Sequence, residues 1–328
     1  MTEGWRLRER RELRDKRREF RRLKEDVRAS TDAAERAELK RKRRAARREL
    51  LELEKGLNAA MRRRAANAPG VGTLPDFVIL GASRSGTTSL YHLLAGHPLV
   101  EPAESKELHF FDTHFREGIG WYRSCFPSPR WKDGWSTLTG EATPYYLLHP
   151  HAARRMADVV PRARLIALLR NPVDRAYSQY QQQVKRGREP LTFAQAIEAE
   201  EARLEGEWNR MLEDEEYDSY NLQRYSYLLR GVYADQLLRW RELFSAEQML
   251  VLKSEDFFER PRETLKRVLR FLDLPAWEPE TPGPGQQYRR NQGVYGGGMD
   301  PATRRKLENY FEPHNRRLYE LLGTDFGW

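Results

Sequence analysis

Phe77-Val78-Ile79-Leu80 is a short apolar run that stops at Gly81. It passes through the polar loop Gly81-Ala82-Ser83-Arg84-Ser85-Gly86-Thr87-Thr88 and gives way to a helical spacing at Leu90, Leu93 and Leu94. Strand, loop with two glycines and helix make an anion site from backbone alone. The glycines admit close approach, successive N–H groups form a nest, and the helix start presents its positive end. Hydroxyls of Ser85, Thr87, Thr88 and Ser89 add donors. Thr87 stands where a nucleoside-triphosphate loop carries lysine, and Arg84 is the only cation between the glycines. Such a loop suits a phosphosulfate, which bears less charge than a triphosphate and can dispense with metal. A ligand-free turn and a degraded triphosphate loop are the alternatives this stretch alone leaves open.

The rest of the chain repeats the strand-then-helix unit. Leu165-Ile166-Ala167-Leu168-Leu169 leads into a helix after Pro172, and Met249-Leu250-Val251-Leu252 precedes a helix near 261–272. Apolar strands alternating with helices predict a parallel sheet covered on both faces. The expected fold is therefore α/β, a P-loop-like three-layer arrangement with a central parallel sheet. Residues 191–245 read as mostly helical, 281–298 as a Gly/Pro-rich loop, and roughly 301–321 as a final helix.

The net charge of +9 raises nucleic acid as a partner, but its distribution does not support that. Residues 1–68 hold 24 Lys+Arg against 13 Asp+Glu, which leaves 34 against 36 for the remainder. Residues 5–66 lack proline and are rich in Arg, Glu, Leu and Ala, so they predict helix. A break at Ala29-Ser30-Thr31-Asp32, with Glu35 three places beyond Asp32, divides them into helices of about 6–28 and 32–66. Leu13, Phe20 and Val27 on one side and Ala46, Leu50, Leu53 and Leu57 on the other fit a short coiled-coil-like hairpin. A hairpin packed on itself or a sister subunit, recruitment to an anionic partner, and a disordered arm are its three readings. The expected organisation is a basic helical hairpin over 1–68, a linker over 69–76 and one domain over 77–328. Cys125 is the only cysteine, which points to a reducing compartment. No apolar run approaches the roughly 20 residues that span a bilayer, and the chain is read as cytoplasmic without a secretion signal.

Arg170 ends the second strand, Asn171 can cap the next helix, Pro172 fits its first turn, and Ser178 follows two turns on. Arg170 and Ser178 can reach a second phosphate beside the first loop. Together, Gly86-Thr87-Thr88 and Leu169-Arg170-Asn171-Pro172-Val173-Asp174-Arg175-Ala176-Tyr177-Ser178 resemble the 5′-phosphosulfate and 3′-phosphate motifs of sulfotransferases. The likeness is greatest to the branch that includes the heparan sulfate sulfotransferases and their bacterial relatives. Glu107-Leu108-His109-Phe110-Phe111-Asp112, Gly118-Ile119-Gly120-Trp121-Tyr122, Glu141-Ala142-Thr143-Pro144 and Met299-Asp300-Pro301-Ala302-Thr303-Arg304 agree in order, so the resemblance covers roughly 75–328.

The resemblance implies a transferase that moves the sulfuryl group of 3′-phosphoadenosine 5′-phosphosulfate (PAPS) to a hydroxyl or amine of a carbohydrate or small-molecule acceptor. It leaves 3′-phosphoadenosine 5′-phosphate (PAP) and uses no metal. It puts Arg84 where relatives carry lysine, so that this residue acts electrostatically only. It puts Glu107 at the general-base position, with His109 as the competing candidate and a purely structural acidic residue as the remaining reading. Arg290, Gly293 and Tyr295 fall in a late cofactor-binding segment. The family lysine after the glutamate of Glu141-Ala142-Thr143-Pro144 is replaced by Ala142; Lys106 is either its substitute or a surface lysine. A P-loop kinase or hydrolase and a noncatalytic anion-binding protein are the other function classes.

Overall fold

The computed structural model describes residues 29–67, 72–132, 134–279 and 298–328, with several positions between 12 and 27. Its strands are β1 (Phe77–Gly81), β2 (Val100–Pro102), the pair β3 (Trp131–Lys132) and β4 (Trp135–Ser136), β5 (Leu138–Ala142), β6 (Arg164–Leu169) and β7 (Met249–Lys253). β3 and β4 form an antiparallel ribbon of exposed residues; the others make one five-stranded parallel sheet in the order β2-β5-β1-β6-β7.

The apolar strands are buried on both sides, as a parallel sheet requires. Val78, Leu80, Leu165, Ala167 and Leu169 face one core cluster, whereas Phe77, Ile79, Ile166 and Leu168 face another. The helices that cover them are α1 (Ala33–Asn67), α2 (Thr87–Leu94), α3 (Gly118–Ser124), α4 (Ala152–Val159), α5 (Pro172–Lys185), α6 (Phe193–Glu198), α7 (Glu200–Leu204), α8 (Glu207–Glu213), α9 (Tyr220–Tyr225), α10 (Tyr233–Arg241), α11 (Ser254–Glu259), α12 (Pro261–Phe271) and α13 (Pro301–Leu322). Tyr233, Leu237 and Trp240 of α10 and Met156 of α4 fill the first cluster. Leu90 and Leu94 of α2, Phe257 of α11 and Leu265 of α12 fill the second. Two strands that the apolar pattern does not reveal, β2 and β5, complete the sheet beside β1.

Strand order turns around β1, since the chain lays β2 and β5 on one side and β6 and β7 on the other. In open α/β sheets that switch point, at the carboxyl ends of the strands, is where a crevice forms. The loop after β1 therefore opens beside the one after β6.

The N-terminal segment is a helical hairpin. Described residues between 12 and 29 are helical, Asp32 Oδ1 accepts from Glu35 N at 2.7 Å, and Ser30 Oγ donates to Glu35 at 2.7 Å. Val27 and Ala46 are buried, Lys16 pairs with Glu49 and Arg36 Nε donates to Val27 O across the two arms, and α1 packs along α3. Leu13 and the side chain of Leu57 lie outside the described residues.

α5 starts as the sequence predicts. Asn171 Oδ1 accepts from Val173 N at 3.0 Å and Asp174 N at 3.3 Å, with Pro172 in the first turn. Asn171→Ala is expected to cost about 1 kcal/mol of unfolding free energy, read as a lower urea midpoint with unchanged denaturant slope. A midpoint equal to wild type would mean that the cap does not hold α5.

Candidate active site

Arg84 and Gly86 hold positive φ angles of 73° and 92°, and this left-handed backbone curls the loop between β1 and α2. Gly86 has no room for a side chain: a Cβ there would sit 2.8 Å from the Phe258 ring. Ala82 N donates to Leu168 O at 2.7 Å and Ser254 Oγ to Ser85 O at 2.6 Å, so the loop is stitched to β6 and to the end of β7. The loop and the end of β6 meet as the spacing suggests. Arg84 Nε donates to Ser178 Oγ at 3.0 Å, and Arg170 Nη1 donates to the Arg84 carbonyl at 3.2 Å. Tyr233 in turn donates to Arg170 O at 2.8 Å.

These residues border a cleft of about 550 Å³. Of the sequence candidates, Arg84, Gly86, Thr87, Thr88, Glu107, His109, Arg170 and Ser178 line it. Ser85 is wholly buried with its hydroxyl unpartnered, and neither it nor Ser89 is among the lining residues. Arg290, Gly293 and Tyr295 lie outside the described residues. The sequence reading missed Arg186, Arg188, Arg224 and Arg230, which also line the cleft. None of these four, nor Arg84 or Arg170, forms an ion pair with a described carboxylate. Only the unpaired state marks them, and it has no one-dimensional signal.

Glu107 and His109 stand on a loop, not a strand, and both have positive φ, 62° and 55°. A non-glycine residue there is strained, which the surroundings must offset. Glu107 N donates to Ala142 O at 3.1 Å and His109 N to Thr143 Oγ1 at 3.4 Å. Thr143 Oγ1 donates to Glu141 at 2.7 Å, and the same buried carboxylate receives Tyr122 OH at 2.7 Å and Tyr146 OH at 3.1 Å. Tyr146 OH accepts from Phe110 N at 2.8 Å. A core carboxylate thus fixes the loop, and burial raises its own pKa against those hydrogen bonds.

The two candidate bases are held differently. Burial pushes the Glu107 carboxyl up, but the charge and hydrogen bond of Lys106, with His109 and Arg186 beyond, hold it below the ordinary carboxylate range. Its side chain keeps 48% exposure, as a group in an open cleft does. Burial pulls His109 down, but the charge and hydrogen bond of Asp112 hold it above its ordinary value. His109 Nδ1 lies 2.7 Å from Asp112 Oδ2, whose side chain is wholly buried and also receives Thr113 N at 2.7 Å. Asp112 fixes the ring so that Nε2 is the free nitrogen.

Residues 74–284 match the family described as "Sulfotransferase domain". The chain is 27% identical over 320 residues to the membrane-associated sulfotransferase kil1 of Dictyostelium discoideum, covering 78% of this chain and 66% of the relative. It is 31% identical over 282 residues to human heparan sulfate glucosamine 3-O-sulfotransferase 6, covering 80% and 76%. Among solved structures, a sulfotransferase from Alicyclobacillus acidocaldarius superposes with TM-score 0.61 at 29% identity, over 77% of this chain and 98% of that one.

Asp112→Asn is expected to move the His109 titration downward, because burial remains and its main counterweight goes. Since the folded pKa is raised, the pair's contribution to stability is complete below about pH 6.5 and fades as pH rises through the folded value. The variant's stability deficit is therefore greatest near pH 6 and shrinks toward pH 9. Histidine NMR and urea unfolding at both pH values check this; an unmoved resonance would remove Asp112 from the account.

Proposed function

We propose, from the premise that this chain belongs to the sulfotransferase family, that it transfers the sulfuryl group of PAPS to a hydroxyl of a carbohydrate acceptor. The observation that carries the reading is the meeting of Arg84, Ser178 and Arg170 in a cleft that Glu107 and His109 also line. A 5′-phosphosulfate fits the loop nest from Gly86 to Thr88, and Arg170 with Ser178 suits the 3′-phosphate. Arg84 touches both motifs and meets the charge that develops on the leaving phosphate. Because arginine keeps its proton, this help is electrostatic.

In the transfer, the acceptor oxygen attacks sulfur, the bond from sulfur to the bridging oxygen breaks, and its electron pair stays on the 5′-phosphate. The acceptor proton passes to Glu107, which is ionised at neutral pH. A second reading makes His109 the base, favoured by the Asp112 hydrogen bond that leaves Nε2 free. Carbohydrate as the acceptor is supported by the printed name of the human relative. Unpaired Arg186, Arg188 and Arg224 suit an acceptor that carries negative charge of its own.

Two measurements test the reading. Adenosine 3′,5′-bisphosphate is expected to bind far more tightly than 5′-AMP, and Arg170→Ala to weaken the bisphosphate about tenfold or more with little effect on AMP. Equal affinity for both nucleotides in wild type would reject the 3′-phosphate site. Glu107→Gln is expected to keep donor binding and lose about 10²–10⁴-fold in kcat with a hydroxyl acceptor. With Glu107 as base, the acid limb of kcat lies below about pH 4.3. A limb above pH 6.5 that vanishes in His109→Gln assigns the role to His109.

A further inference from the structure

Arg230 is a buried guanidinium, 6% exposed, whose charge no described carboxylate meets in an ion pair. Its hydrogen bonds all go to neutral oxygens. Nε donates to Ser226 Oγ at 2.8 Å, Nη2 to Leu222 O at 3.2 Å and Gln223 O at 2.9 Å, and Nη1 to Ser83 Oγ at 2.9 Å. Four bonds from five N–H groups leave one Nη1 hydrogen without a described partner. The guanidinium carbon lies 4.8 Å over the Tyr145 ring, and Tyr145 OH is itself buried with no described partner. Arg230, Ser83 and Tyr145 all line the cleft.

Burying a charge without a counter-ion is costly, and here the cost is met beside the phosphate loop. Burial accordingly depresses the Arg230 pKa, to about 10, which still leaves it fully charged at neutral pH. Ser83 belongs to the loop between β1 and α2, one residue before Arg84, so its hydrogen bond holds Arg230 beside the loop proposed to cradle the phosphosulfate, in the cleft that Glu107 and His109 also line.

We infer that Arg230, oriented by Ser83 and backed by Tyr145, binds the non-bridging oxygens of the sulfuryl group itself. The inference rests on the sulfotransferase reading and adds a residue to it. By offsetting the negative charge of the sulfuryl oxygens, Arg230 lets an electron-rich acceptor oxygen approach sulfur. The bond to the 5′-phosphate oxygen then breaks as the new one forms, and Arg230 exchanges no proton. Arg84 serves the leaving group and Arg230 the group that moves.

The test compares two nucleotides that differ by the sulfuryl group. Calorimetry with Arg230→Met is expected to leave adenosine 3′,5′-bisphosphate within about twofold of wild type, to weaken PAPS tenfold or more, and to lower kcat about 10²–10³-fold. Arg230→Lys recovers part of the kcat loss, because a point charge replaces the fork. A helix-stapling role alone would weaken both nucleotides equally and lower the melting temperature; that result overturns the inference. Ser83→Ala keeps the buried charge and serves where Arg230→Met does not fold. It is expected to lower kcat severalfold with bisphosphate affinity unchanged, and wild-type kcat there overturns the inference too. If wild type binds neither nucleotide, the donor assignment under the sulfotransferase reading fails instead.

Discussion

Like charges must be held together in the cleft, and much of the architecture around it follows from that. Arg84, Arg170, Arg186, Arg188, Arg224 and Arg230 line one space without an ion-pair partner among the described residues. At an effective dielectric near 20, two unit charges 4 Å apart repel by about 4 kcal/mol, so side chains left free would turn outward. Neutral oxygens hold four of them in place, Arg224 through Tyr220 O and Gln223 Oε1. Ser178 takes Arg84, the Arg84 carbonyl takes Arg170, and Ser83, Ser226 and two carbonyls take Arg230. Each such bond fixes direction and leaves the charge uncancelled. Arg186 shows the residual tension: burial and then the neighbouring Arg188 and Arg84 charges depress its pKa.

That organisation explains which parts of the molecule can be read from its sequence. β1 and β6 are buried on both faces, so their continuous apolar runs announce them, and the glycines and Arg170-Asn171-Pro172 mark where each run ends. β5, Leu138-Thr139-Gly140-Glu141-Ala142, is equally internal but has no such run. Gly140 is there because a Cβ would lie 2.6 Å from the Phe77 ring, and Glu141 because three hydroxyls satisfy it. Those reasons exist only once the fold has formed. The same holds for the site. Arg84, Arg170 and Ser178 sit in local motifs whose geometry is set within a few residues. Arg230 reaches Ser83 from 147 positions away, and its lack of a carboxylate is a property of space. Glu107 and His109 are legible only through family likeness, since their positive φ angles and the clamp from Glu141 leave no pattern in the chain.

The clamp also links core to chemistry. Glu141 is buried completely, as are Tyr122, Thr143 and Tyr146, whose hydroxyls all donate to it; Tyr146 OH accepts from the backbone of Phe110 and Thr143 Oγ1 from that of His109. Stacking of Phe110 on Tyr122, with centroids 4.2 Å apart, fixes the other side of the loop. A strained loop in such a frame keeps two titratable groups aimed at the cleft, where a flexible one would spend entropy ordering them on each turnover.

Lys106 then becomes the residue on which base strength turns. The family lysine is absent at Ala142, whose side chain is buried, yet Glu107 N bonds the Ala142 carbonyl, so Lys106 arises beside the same point from a neighbouring segment. It is not a surface lysine: its side chain is 14% exposed and paired with Glu107. That pairing holds Glu107 ionised but also lowers its basicity, and proton transfer is most effective when the base is not over-stabilised.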